Sequence, residues 1–299
     1  MRTPSRGGRK ARPWQHSVET GDRSPQLCEE RCFVRSERIV VWETFDLNDP
    51  LTQAAGDLYE QTLAPEERIP WIWIEKAVEN RRHRKRNFRQ EWTKHLFLAA
   101  READLEAPPR LAGYAYGAYL PGFCGYLCYL GVAEWARRLG VGTRLMEQFF
   151  RQMAVDAGEL GEPLPFVLWE SRRPEADAGE AAWQLWTARV RLFQRVGAWW
   201  IEGVDFLTPN FAANDEGEEE AEPVPLQLFL RPMEEPVSAL SSERLRQIIA
   251  QLQQTVYRRG PGDDLYEQTL PPGCQPQLRP AWQAAQRPTP TPVAAGVRA

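Results

Sequence analysis

The sequence predicts an α+β (α/β) fold, and three observations carry that expectation. Strand-like segments outnumber helical ones, and the later strands alternate with helices. An apolar run at 125–132 (GYLCYLGV) leads through a glycine-bearing loop into an amphipathic helix. The 299 residues are 42% hydrophobic and 26% charged, which suits one or two globular domains with substantial cores.

Residues 1–36 are rich in Arg, Ser, Gly and Pro without periodicity and read as a disordered arm. Residues 38–44 (RIVVWET) read as the first strand. Asn48-Asp49-Pro50 offers a helix start, with a capping side chain and proline in the first turn. Leu51, Ala54, Ala55, Leu58, Tyr59 and Leu63 would form its apolar face. A second helix begins at Pro70-Trp71 and runs through Ile74 and Val78 to about Asn80. The basic run 81–89 (RRHRKRNFR) is read as a solvated loop, with a grip on nucleic acid as the alternative. Residues 95–103 and 110–119 are strands, the second with Gly113 and Gly117 as candidate bulges.

After the strand–loop–helix of 125–157 come a strand at 166–170 and a helix from about 180 to 196. Residues 199–207 and 226–232 form a hairpin pair, and the acidic run 215–222 between them is too charged to be buried. A helix at 238–257 is capped by Ser241 or Ser242 and carries Leu245, Ile248, Ile249 and Leu252 as a stripe. The heptapeptide DLYEQTL at 57–63 recurs identically at 264–270, read as a local duplication. The Pro- and Gln-rich tail from Pro271 reads as disordered.

Several function classes are disfavoured. A net charge of −4 argues against nucleic acid as the main partner. No apolar run approaches the roughly 18 residues that span a bilayer, and the basic N-terminus lacks the apolar segment of a secretory signal. Five cysteines, none in a Cys-x-x-Cys pair, read as buried free thiols, with Cys124 and Cys128 on one strand face. A cytoplasmic location is the corresponding expectation. The three histidines have no metal-ligand spacing, so no metal is expected. No serine stands between Ser36 and Ser171, and there is no Gly-x-Ser-x-Gly elbow, so a serine hydrolase is poorly supported.

The loop at Arg137-Arg138-Leu139-Gly140-Val141-Gly142 carries the chemistry. Backbone N–H groups at a helix start lack intrahelical partners and sit at the positive end of the macrodipole, so they bind phosphate. The P-loop pattern is absent, and Leu145 breaks the dinucleotide pattern at its third glycine. What remains is Arg-x-x-Gly-x-Gly, which resembles the acyl-CoA pyrophosphate loop of the GNAT superfamily of N-acyltransferases. The segment 189–198 (RVRLFQRVGA) resembles the last helix of that superfamily, where an aromatic residue precedes a basic residue and a chain-turning glycine.

The resemblance implies a mixed, mostly antiparallel central sheet flanked by helices over 37–234. Residues 235–299 then form a C-terminal helical extension with its tail. It implies acetyl-CoA as co-substrate and direct acyl transfer to a small-molecule amine. It assigns cofactor binding to Arg137, Arg138, Leu139, Gly140, Val141, Gly142, Thr143 and Phe193, and to backbone groups of Leu130 and Val132 where the strand splays from its neighbour at a bulge. A third reading of the basic run is attraction of the 3′-phosphate of CoA.

Glu170, at the end of the next strand, is the candidate base, with a solvated acid paired to Arg172 or Arg173 as the alternative and Asp205 as a second candidate. Phe193 stands where many members have a tyrosine that protonates the thiolate, and phenylalanine has no proton to give. Tyr129 is the candidate substitute, with a core tyrosine as the alternative. A catalytically decayed CoA-binding or interaction module is the competing function, and a homodimer is an open state.

Overall fold

The computed structural model describes residues 39–44, 50–84, 94–102, 110–212 and 222–287. The expected N-terminal arm, the Asn48 and Asp49 caps, most of the acidic run and the last part of the tail lie outside these residues.

Nine strands among the described residues pair into one sheet. In chain order they are β1 (Ile39–Glu43), β2 (Lys94–Glu102), β3 (Leu111–Leu120), β4 (Cys124–Val132), β5 (Phe166–Ser171), β6 (Trp199–Glu202), β7 (Phe206–Thr208), β8 (Val224–Pro232) and β9 (Gln277–Pro280). The spatial order is β1-β2-β3-β4-β5-β8-β6-β9, with β7 beside the start of β8. Only β4 and β5 run parallel among the described pairs; every other pair is antiparallel, as the mixed-sheet expectation requires. The helices are α1 (Pro50–Thr62), α2 (Trp71–Arg84), α3 (Val141–Leu160), α4 (Glu180–Arg195), α5 (Ser242–Leu252) and α6 (Asp264–Thr269).

Alternation along the strands sorts the helices onto two faces. Ala115 and Tyr119 of β3 face a core with Leu145, Met146, Phe149 and Met153 of α3 and Trp183, Trp186 and Val190 of α4. Tyr114 and Tyr116 face the opposite way, onto α1 and α2. Ala118 and Leu120 share that second face and meet α5. The apolar stripe of α3 therefore does its expected work, except that Ala154 is exposed and Ala157 takes the buried position.

The sequence expectations differ from the structure in four places. Helix α2 continues through Arg84, so the first part of the basic run is helical rather than loop. The expected strand 199–207 is broken into β6 and β7 at Gly203, whose φ of +82° favours glycine. Gly113 and Gly117 are not themselves the bulged residues. The registers skip Ala112 opposite β2 and Cys128 on β4. Gly117 answers a packing demand instead, since a Cβ there would lie 2.3 Å from the Tyr126 carbonyl oxygen and 2.6 Å from the Phe149 ring.

The fourth difference is the C-terminal region. The tail from Pro271 supplies β9, which pairs with β6, and a 3-10 turn (Ala281–Ala285) whose Ala284 carbonyl accepts the Trp186 indole N–H at 2.8 Å. Ser241 caps α5, its hydroxyl accepting the Arg244 N–H at 3.2 Å. Leu245, Ile248, Ile249 and Leu252 are 0% exposed. The sequence boundary at 234/235 therefore does not divide the sheet or its core.

Truncation tests this directly. A chain ending at Pro236 strips the cover from one sheet face and is expected to be insoluble or molten, read by circular dichroism and solubility. In the full chain, Ile249→Ala should lower the urea-unfolding free energy by about 2–5 kcal/mol. A change below about 1 kcal/mol would show that α5 is an appendage.

Candidate active site

The site begins where β4 and β5 part. Their parallel register covers Gly125↔Val167, Tyr126↔Leu168 and Leu127↔Trp169, and then stops. Cys128 is the extra residue in the β3–β4 pairing, which moves from Tyr116↔Tyr129 to Gly117↔Leu127. A bulge bends its strand and sharpens the local twist. It also shifts the side-chain phase, so Cys128 and Tyr129 both face the α1–α2 side. Beyond it, β4 runs on to Val132 beside β3 alone, and a fork opens toward β5.

The β4 arm of this fork presents backbone donors. Ala133 N–H donates to the Ala112 carbonyl at 2.9 Å, so the antiparallel pattern turns Gly131 toward β3 as well. The same alternation turns the N–H groups of Leu130 and Val132 toward the fork. Their half-buried side chains pack on the core shared with α3 and α4.

The arm leads into the start of α3. Gly140 is the N-cap, with φ of 78° and no side-chain cap, and no acidic residue occupies the first turn. Arg144 N–H is already bonded to the Gly140 carbonyl at 3.1 Å. Val141, Gly142 and Thr143 are thus the first-turn residues whose N–H groups precede the helical ladder. Two expected donors in the loop are spent: Arg137 N–H binds the Glu134 carbonyl and Leu139 N–H the Ala136 carbonyl, each at 3.2 Å. Arg137 and Arg138 are exposed, and Arg138 has a positive φ of 68°. Gly142 differs from expectation. A Cβ there would lie 3.0 Å from Leu192 Cδ2, so its small size serves α3–α4 packing, whereas a Cβ on Gly140 would meet nothing within 4 Å.

Glu170 is the first β5 residue past the last position paired with β4. It is half-buried and does not pair with Arg172 or Arg173. Tyr126 donates its hydroxyl to Glu170 Oε2 at 2.6 Å, and Tyr257 donates to Oε1 at 2.8 Å. The two phenol oxygens are 3.0 Å apart. Burial pushes the Glu170 carboxyl up to about 7, against the two hydroxyl donors, which favour its ionised form. Burial and the neighbouring carboxylate hold both phenols well above the usual tyrosine range. Arg172 instead reaches Glu66 at 2.6 Å and Glu67 at 3.2 Å, tying the end of β5 to the α1–α2 connection.

Three expected residues have other surroundings. Phe193 is 4% exposed, with its ring 5.4 Å from Trp169 and 4.7 Å from Phe229. It belongs to the aromatic core beneath the fork rather than to an open cofactor wall. Tyr129 lies 5.0 Å from the Tyr59 ring, and its hydroxyl accepts the Ile69 N–H at 3.2 Å. Its oxygen thus serves the α1–α2 connection. Asp205 is exposed and lines a separate cavity of about 440 Å³ with Arg173, Trp200, Gln227 and Cys274.

Sequence reasoning singled out Glu170 but not the Tyr126 and Tyr257 hydroxyls that bond its carboxylate. Tyr126 carried a faint signal, as one of two phenols in an apolar strand; Tyr257, at the far end of a C-terminal helix, carried none. Among the described residues no three His, Cys, Asp or Glu side chains gather as a metal site. No helix of these residues is long and apolar enough to cross a membrane.

Residues 58–159 match the family model described as the acetyltransferase (GNAT) family. The match begins within α1 and ends within α3, so it includes the fork arm and the loop and stops before Glu170. No curated protein matches the chain. Among solved structures, a protein from Bacteroides thetaiotaomicron assigned to the GNAT acetyltransferases is similar at 16% identity. That likeness covers 73% of this chain and 98% of the other, with a TM-score of 0.46. An IAA acetyltransferase from Bacillus cereus is similar at 12% identity, over 65% of this chain and 99% of its own, with a TM-score of 0.39. A GNAT family acetyltransferase from Elizabethkingia anophelis with acetyl-CoA bound is similar at 11% identity, over 66% and 99%, with a TM-score of 0.39.

The position of Glu170 makes stability depend on pH. Its carboxyl holds a proton up to about 7 when folded, against the ordinary 4.5. Between these values the folded state binds more protons than the unfolded one. The stabilisation is therefore full below 4.5 and is lost as pH rises through 7. In urea unfolding, the stability of the wild type relative to Glu170→Gln should fall by roughly 3 kcal/mol across that window. A flat difference would mean that Glu170 titrates as an ordinary surface acid.

Proposed function

Taking the GNAT acetyltransferase domain matched over residues 58–159 as premise, we propose that this protein is an acyl-CoA-dependent N-acyltransferase. Acetyl-CoA is its co-substrate and a small-molecule amine its acceptor. One observation carries the reading: the fork between β4 and β5 leads directly to an uncapped helix N-terminus without acidic residues. Those features fit an acyl-CoA. Its phosphates would meet the N–H groups of Val141, Gly142 and Thr143, and its amide-bearing arm those of Leu130 and Val132.

When bound, the acyl-CoA supplies an activated thioester carbonyl. The chain's own groups do the rest. The Val132 N–H, turned into the fork, would stabilise the negative charge that develops on the carbonyl oxygen, and such a fixed donor is worth about 3–4 kcal/mol in other enzymes. Glu170 takes the proton that the attacking nitrogen loses as its bond to carbon forms. A carboxyl near 7 is suited to that exchange at neutral pH, because its basicity is close to the working pH. The C–S bond breaks as the amide forms, and the sulfur leaves as thiolate. Phe193, at the position of the expected acid, has no hydroxyl to protonate it, and Tyr129 is packed on Tyr59 with its oxygen accepting the Ile69 N–H.

That missing acid favours a second reading, a CoA-binding module without turnover. Two variants separate the readings. Thr143→Pro deletes one first-turn donor at a position where helices accept proline, and should weaken acetyl-CoA binding about tenfold by calorimetry. Gly142→Val is a poorer probe, because its Cβ would strike Leu192. Glu170→Gln should leave acetyl-CoA affinity within about twofold and lower CoA release with the best amine of a panel by roughly 10²–10⁴-fold. Binding without any amine-dependent CoA release in the wild type would establish the second reading.

A further inference from the structure

Tyr257 comes from outside the matched domain. Helix α5 does not end in an ordinary turn: Gln253–Tyr257 is π-helical, and Arg258 closes it with a left-handed φ of 58°. Single π turns inside helices are uncommon and recur at functional sites. A non-glycine residue at positive φ persists only where its surroundings fix it. Here they do. Gln253 is 0% exposed and donates to the Leu207 carbonyl at 2.8 Å and to Thr269 Oγ1 at 3.3 Å. Thr269, from the second copy of the repeated heptapeptide, accepts the Leu207 N–H at 3.1 Å. The Tyr257 ring packs 5.9 Å from Phe206. The turn is pinned on several sides, and its last side chain reaches the carboxylate at the fork.

The three oxygen-bearing groups close a ring. With Glu170 ionised, Tyr126 donates to Oε2 and Tyr257 to Oε1. With Glu170 protonated, its proton can go to the Tyr126 oxygen, the Tyr126 hydroxyl can turn to Tyr257, and Tyr257 still donates to Oε1. Every hydroxyl has a partner in both states, and only hydroxyl protons move. The second lone pair of each carboxylate oxygen stays available for an incoming nitrogen.

Resting on the acyltransferase reading above, we propose that Tyr257 is a positioning residue for Glu170. In this arrangement the C-terminal extension completes a Tyr126–Glu170–Tyr257 ring that takes up one proton without moving any heavy atom. The balance is simple: the nitrogen loses a proton, the ring gains it, and solvent removes it after product leaves. The titratable groups facing Glu170 are Tyr126, Cys128 and Tyr129 from β4 and Tyr257 from the C-terminal segment. None of these is cationic, so the hydroxyl donors are what favour the ionised carboxylate.

The test is Tyr257→Phe in the full chain, which keeps the edge-to-face packing of the ring on Phe206 and deletes only the hydroxyl. Glu170 is followed by NMR of carboxyl-labelled glutamate across pH, with Glu170→Gln identifying its signal. Loss of one donor to the ionised form should raise its midpoint by about one pH unit or more. The acid limb of kcat/KM should move by the same amount, with acetyl-CoA affinity within twofold. Should Tyr257→Phe fail to fold, Tyr126→Phe opens the same ring from β4 and should give the same shift. An unmoved Glu170 midpoint overturns the inference, whatever the activity. So does a moved midpoint with an unmoved kinetic limb in an active enzyme. If the wild type transfers to no amine, the acyltransferase reading fails instead, and the NMR midpoint alone decides whether the ring exists.

Discussion

The bulge at Cys128 is the constraint on which the site depends. A parallel pair held in register along its full length would bond the N–H groups of Leu130 and Val132 to β5, leaving no room for a ligand backbone. The extra residue ends that pairing after Leu127↔Trp169 and bends β4 away. It also turns Tyr129 to the same face as Cys128, where its phenol supports the α1–α2 connection. The fork, the donors along one arm and the carboxylate at its root all follow from one inserted residue.

What keeps the fork from collapsing is the packing on either side. The aromatic cluster of Trp169, Phe193 and Phe229 fills the space under the last paired residues on the α3–α4 face. On the other face, α5 presses four fully buried aliphatic side chains against the sheet. A stripped face could not hold two strands apart at one end and together at the other, because neither arm would have a fixed surface to rest on. The C-terminal region, which reads in sequence as an addition, is in this sense a wall of the site.

Electrostatics divides the neighbourhood into two parts. Glu66 and Glu67 are answered by Arg172, which holds the Glu66 carboxyl below its ordinary range and links the α1–α2 connection to the end of β5. Glu170 has only hydroxyl donors, one on each oxygen, which do not offset its charge, so burial dominates and the carboxyl moves toward neutrality. Adjacent acids on one strand end and one connection thereby take different roles, one structural and one able to exchange a proton. This separation of environments is the usual physical origin of an acid–base group at neutral pH.

The sequence by itself determined the elements whose cause is local. The strand–loop–helix at 125–157, the stripe of α3 with its Leu145, Met146 and Phe149, the stripe of α5 and the Arg-x-x-Gly-x-Gly loop all follow from periodicity and from the conformational needs of a helix start. Glu170 was legible as an acid at a strand end. Only the tertiary structure decided what surrounds it. Tyr257 lies 87 residues away along the chain, and no local pattern encodes a contact at that separation. The same holds for Gly142, whose missing Cβ is set by Leu192 on another helix, and for Phe193, whose burial depends on Trp169 and Phe229 from two strands. Short-range geometry is written in the order of residues, whereas the partners of a side chain are set by how the sheet and its two helical layers close around it.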